Sequence, residues 1–261
     1  MGKWIAALLV AATIGGVAIY QYRLTTAPPS AAPEVLPPAP PPVAATGEPK
    51  VRFPVPESPA SATPLPPLEA SDSALQDALA GLYGRETLAR FFSLDDIVRR
   101  FVATIDNLPR KTVAARLMPV KPVGGVFHVS GSDASVAIAA DNHLRYRPYV
   151  QAMEAVEAKR LVALYTHVYP LFQAAYQELG YPDRYFNDQL VDTIDDLLAA
   201  PDVAAPGLTQ PKVLYQFADA GLEARSAGQK IMIRMGGANA ARVKDKLRAI
   251  RRELTGAPAP A

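Results

Sequence analysis

Asn187 is a polar residue in an apolar place. Helical spacing over 186–197 puts Phe186, Leu190, Ile194 and Leu197 on one stripe, and Asn187 falls beside it. A buried amide must find partners for its donor hydrogens and its acceptor oxygen. Gln210, Lys212, Tyr215, Gln229 and Lys230 sit in segments with the same mixture of polar and apolar positions. Together with Tyr185 and Asn187 they are the candidates for a polar pocket that takes a ligand or partner. The rival reading of the same residues is a structural hydrogen-bond network that fixes the fold.

Other chemistry is harder to build from these residues. Asp188, Asp192, Asp195 and Asp196 form an acidic row, expected as a solvated face turned away from the apolar stripe. A calcium loop would need a glycine turn and backbone carbonyl ligands, so no metal is expected there. The histidines are scattered, and His167 has no partner at metal-ligand spacing. There is no HExxH, G-x-S-x-G, Walker loop or G-x-G-x-x-G, so no catalytic residue and no cofactor are expected. Cysteine is absent, which excludes disulfides, thiol catalysis and cysteine-ligated metals. A net charge of +2 over 261 residues argues against a nucleic-acid partner.

The elements that must position these residues start with two helices. Leu161, Leu164, Tyr165, Val168, Phe172, Ala175, Tyr176 and Leu179 recur at helical spacing, and Gly180 with Pro182 ends that run. The second helix begins at Phe186, and the two facing stripes are expected to pack as a core hairpin. Pro170 removes the backbone donor for the Thr166 carbonyl and predicts a bend. Earlier, Ser71 or Ser73 is a candidate cap for a helix carrying Leu75, Leu79 and Leu82. Ser93 and Asp96 have capping-box spacing ahead of Ile97, Val98, Phe101, Val102 and Ile105. Asp95–Arg99 and Asp96–Arg100 are expected ion pairs at i,i+4. Val126–Val129 reads as a short hairpin or an extended loop, and Lys212–Phe217 as a strand for which it is the candidate pairing partner. A last helix runs from about Ala238 to Leu254.

The fold class is therefore mainly α: an N-terminal transmembrane helix, a disordered proline-rich linker, then a helical domain with a small β-hairpin. Trp4–Tyr20 carries no charge and is flanked by aromatic residues, as a short membrane span would be. Its rival, a cleaved signal peptide, has a poor cleavage site at 25–27. Residues 1–26 are the anchor with its flanks. Residues 27–67 are dense in proline and poor in apolar bulk, so they are expected to be a stiff, unfolded spacer. Residues 68–254 are the domain, and 255–261 a disordered tail.

The blocks LDDIVRRFVATIDNLPR (94–110), RYRPYV (145–150), YPLFQAAYQELGYPDRYFND (169–188), QPKVLYQFAD (210–219), SAGQK (226–230) and RMG (234–236) resemble a bacterial family known as domain of unknown function 3014. The resemblance spans nearly all of 68–254. It implies the same order of apolar segment, proline-rich stretch and domain, and it brings no assigned activity. Lys3 before the apolar segment, with only Arg23 close after it, places the N-terminus in the cytoplasm and the domain in the periplasm. The expected function is a membrane-anchored, non-enzymatic envelope module that binds an envelope protein or wall component. The alternative is a hydrolase or transferase acting on an envelope polymer through Asp or Glu with Tyr and Lys.

Overall fold

Amphipathic helical periodicity dominates the sequence after residue 68, and the fold follows it. The computed structural model describes residues 50–56, 64–132 and 135–257, all within the unit Glu48–Ala261. The expected anchor Trp4–Tyr20 and most of the expected spacer lie outside the described residues. Among the described residues, no helix is long and apolar enough to cross a membrane.

A 3₁₀ turn at Leu68–Ala70 leads into α1 (Asp72–Tyr83) and α2 (Arg85–Phe91), followed by α3 (Ile97–Asn107). Strands β1 (Val129–Ser130) and β2 (Val136–Ile138) precede α4 (Asn142–Glu154), α5 (Ala158–Glu178) and α6 (Phe186–Leu198). Then come β3 (Gly207–Thr209), β4 (Gln216–Phe217), the short α7 (Ala220–Glu223), α8 (Ala227–Arg234) and α9 (Gly237–Thr255). The domain is mainly helical with a small antiparallel sheet.

The core is not the two-helix hairpin that the stripes suggest. Helices α3 and α9 each pack against both α5 and α6, which touch one another less extensively. Ile97, Val98, Val102 and Ile105 of α3 join Val168, Phe172 and Tyr176 of α5. Phe186, Leu190 and Ile194 of α6, with Leu254 of α9, complete this cluster. Phe186 stacks on Phe172 with ring centroids 5.7 Å apart. Burial of each such side chain stabilises by roughly 1.5–3 kcal/mol. Helix α6 is enclosed almost all round, so its buried set includes Asn187, Asp188 and Thr193 as well as the apolar stripe.

The sheet differs from the expected hairpin. Its order is β1-β2-β3-β4, every neighbouring pair antiparallel. Val129 pairs with Ile138, and Phe217 with Leu208, so the two segments expected to pair lie at opposite edges. The short runs at β2 and β3, too brief to show alternation, come between them.

Local caps differ too. Ser71 donates its hydroxyl to the Leu68 carbonyl rather than capping α1. The start of α3 is held by Asp72 of α1, which accepts from the amides of Asp96 (2.8 Å) and Ile97 (3.2 Å). The Ser93–Asp96 capping box is thus replaced by a long-range one, and Asp96 takes a left-handed conformation (φ 50°). Arg99 pairs with Glu178 at 2.9 Å, and Arg100 reaches the carbonyls of Asp95 and Arg116, in place of the expected i,i+4 pairs.

Candidate functional site

Residues 50–56 are not free spacer. Within Lys-Val-Arg-Phe-Pro-Val-Pro, Val51, Phe53 and Val55 alternate with polar or proline positions, and all three are half-buried. Phe53 packs against the principal core. This strap lies over the first turns of α6, bends at Arg52 and Phe53, and is held there by its backbone. Asp188 accepts from two successive amides, Arg52 N–H at 3.1 Å and Phe53 N–H at 2.8 Å. Asn187 donates its side-chain amide to the Phe53 carbonyl at 2.8 Å. One turn further along α6, Asp192 takes both terminal nitrogens of the Arg52 guanidinium, at 3.1 and 2.5 Å. The spacing Asp188–Asp192 is i,i+4, so both carboxylates face the strap.

The other side of Asn187 is closed by α5. The Tyr165 hydroxyl donates to Asn187 Oδ1 at 2.9 Å. Burial, with Tyr169 and Asp188 nearby, pushes the Tyr165 hydroxyl well above its ordinary pKa, so it stays a donor. The first amide of α6, Phe186 N–H, donates to Gln173 Oε1 at 2.9 Å, and Gln173 in turn donates to the Arg184 carbonyl. Asn187 itself is fully buried, as its place beside the stripe requires. Beside the strap lies a cavity of about 220 Å³, lined by Lys50, Arg52, Asp183, Arg184, Tyr185 and Asp188 among others.

The seven sequence candidates do not form one pocket. Tyr185 borders the strap cavity and Asn187 is sealed beneath the strap. Gln229 and Lys230 are buried on α8, which packs near the other end of α6. Gln229 donates to both the carbonyl and a carboxylate oxygen of Asp196 at 2.9 Å, and Ser226 donates to the second oxygen at 2.7 Å. Lys230 donates to Glu223 Oε1 at 3.1 Å and to the Glu223 carbonyl. At about 1.5 Å rise per residue, Asn187 and Asp196 are roughly 14 Å apart along α6, beyond the reach of one pocket wall. Gln210 and Lys212 are exposed, with Gln210 donating to the Val213 carbonyl at 3.0 Å. Tyr215 packs against Phe127 with the rings tilted, centroids 5.8 Å apart.

The acidic row is likewise not a solvated face. Asp188 holds the strap, Asp195 forms a two-pronged pair with Arg251 (2.6 and 3.0 Å), and Asp196 anchors α8. At Glu223, desolvation raises the carboxyl, but the Phe217 amide and the Lys230 ammonium outweigh it and leave its pKa below the ordinary value. Among the described residues, no group of three or more His, Asp or Glu is arranged to hold a metal. No buried side-chain polar atom of the described residues lacks a partner.

A second feature is apolar. Val126, Val213 and Leu214 are 74%, 86% and 77% exposed. They sit on braced loops. Arg145 donates to the carbonyls of Val123, Gly124 and Gly125, and Tyr149 to that of Pro122. The Phe127–Tyr215 contact ties the two loops together, and Arg234 donates to the Tyr215 carbonyl.

The residues that sequence reasoning missed are Arg52, Phe53, Tyr165 and Asp188. The signal for the strap was the alternation of Val51, Phe53 and Val55, a period-2 pattern inside a proline-rich stretch.

A mainly helical domain whose α6 is gripped by its own N-terminal strap is the class that this geometry defines. The family model for a protein of unknown function, DUF3014, matches residues 97–251, and the chain belongs to that family. No curated protein and no solved structure matches the chain.

Proposed function

We propose that this chain is a non-enzymatic binding module of the cell envelope. In this reading Trp4–Tyr20 anchors it, the proline-rich segment spaces it from the membrane, and the domain meets an envelope protein or wall component in the periplasm. The observation that carries the reading is the exposure of Val126, Val213 and Leu214 on loops braced by Arg145, Tyr149 and the Phe127–Tyr215 contact. Large apolar side chains on pre-organised loops cost little entropy to dock. The alternative, a hydrolase or transferase, needs a free carboxylate in a concave site. The nearest candidates, Asp188 and Asp192, are committed to Arg52 and to the strap backbone.

A photo-reactive residue at position 214 in the full-length chain tests the reading in the producing cell. One discrete adduct is expected, lost when Val126 and Val213 are changed to Asp, with none from the exposed control Lys159. Adducts no stronger than at Lys159 would refute the binding surface. Release of the chain by carbonate, or a C-terminal reporter active only in the cytoplasm, would refute the anchored topology.

A further inference from the structure

The strap cannot hold itself in place. Pro54 and Pro56 have no backbone N–H, and residues 50–56 belong to no strand of the sheet. Its conformation is set by α6. Three main-chain groups, the amides of Arg52 and Phe53 and the carbonyl of Phe53, are each met by a side chain of Asp188 or Asn187. Side chains that address the backbone recognise a peptide by its main-chain groups whatever its sequence. Two further contacts add selectivity. Asp192 requires a planar cation at the first position, because it binds both terminal nitrogens of Arg52. The space filled by Phe53 against the core requires an apolar ring at the second. The third residue, Pro54, needs no donor partner, so proline is admitted there.

We propose that the first two turns of α6 form a peptide-recognition site for an arginine–aromatic–proline segment, with residues 51–55 as its resident ligand. The chemistry is that of a peptide complex rather than of a core element. The Arg52 side chain remains 55% exposed although its guanidinium is doubly paired, and the Asn187 amide and the two Asp188 oxygens meet main-chain groups of the strap. The resident segment competes as an intramolecular ligand, since residues 57–63 join it to the domain. A tether of that length gives an effective concentration on the order of millimolar. A peptide of the same chemistry supplied in trans therefore faces an occupied site in the wild-type chain and a vacant one when the strap is weakened.

The test uses the full-length chain and a fluorescent peptide spanning residues 50–56, read by anisotropy. Phe53→Ala weakens the resident segment from the apolar side. Arg52→Glu weakens it from the charged side without removing packing, and so serves if Phe53→Ala lowers the helical content. The peptide should bind the weakened chain saturably, at least about tenfold more tightly than the wild type, as expected when a cis competitor is removed. Peptides with the arginine changed to glutamate, or the phenylalanine to alanine, should lose that binding. No saturable binding to either variant at millimolar peptide would overturn the proposal. So would equal affinity for wild type and variants, or equal affinity for the altered peptides. These readouts do not involve the loops at Val126 and Leu214, so failure here leaves the envelope reading standing, and the reverse.

Discussion

Asn187 joins three parts of the chain, and replacing it by leucine tests whether that junction is structural. Leucine has the branching and heavy-atom count of asparagine and suits the apolar stripe, so the change removes the hydrogen bonds. Its bulkier methyl groups can only add to the loss at this fully buried site. The Tyr165 hydroxyl loses its acceptor, and a buried group left unpaired costs about 1–3 kcal/mol. The Phe53 carbonyl loses its donor, but the strap is only part-buried and water can reach it, which adds about 0.5–1 kcal/mol. The sum is about 2–4 kcal/mol, a large share of the roughly 5–15 kcal/mol available to a domain. At about 2–4 °C per kcal/mol for this size, Tm should fall by about 5–15 °C. Urea unfolding followed by circular dichroism should show the midpoint moving with an unchanged slope.

A cycle with Tyr165→Phe separates the bond from the packing. Tyr165→Phe alone strands the Asn187 oxygen and should cost about 1–2 kcal/mol. The double variant removes both partners, so its loss should fall short of the sum by about 1 kcal/mol. A single Asn187→Leu variant within about 0.5 kcal/mol of wild type, or a cycle that adds without coupling, would refute the junction argument.

Three further outcomes follow from other contacts. Arg251→Met leaves the Asp195 carboxylate without the two-pronged contact that joins α6 to α9; because Asp195 still reaches solvent, the loss should be about 2–3 kcal/mol by urea unfolding, and Asp195→Leu in the same chain should return part of it. In Gly228→Ala the new Cβ would lie 2.5 Å from Leu197 Cδ2 and 3.3 Å from the Leu108 carbonyl, so a loss of about 1–3 kcal/mol is expected, relieved by Leu197→Ala if the clash is its cause. Glu223→Gln tests the pH dependence: a depressed carboxyl pKa gives stability that is full above the unfolded value near 4.3 and is lost as pH falls through the folded value, so the variant should be weaker by about 0.5–1 kcal/mol at pH 7 and flatter in its decline from about pH 5 to 3.

The helices were legible where burial is one-sided and local. The second apolar stripe begins at Phe186, and α6 does too; α9 starts at Gly237, one residue before the expected Ala238. Gly236, at φ 84°, supplies the left-handed break that lets α8 turn into α9. Strands of three residues, such as β2 and β3, carry too little alternation to be read from the sequence, which therefore shows only the two edge segments. The strap failed for a different reason. Proline density over 27–67 describes an average, whereas docking depends on three apolar residues at alternate positions and on a carboxylate that lies 135 positions away from Phe53.

That distance also explains the fate of the Asn187 prediction. Local periodicity fixes which face of a helix a residue occupies, and hence that Asn187 must be buried and satisfied. It contains nothing about which chain segment covers that face. The polar residues 210–230 were reasonable partners by character, but α8 approaches α6 at Asp196, and the Asn187 end was left for the strap and α5. A buried polar residue therefore predicts a long-range contact without naming it. Here the contact it demanded lies in the one stretch whose composition argued most strongly against folding, and the Arg52–Asp192 pair shows why the stretch folds nonetheless: its few binding groups are specific, and its prolines ask for no donors in return.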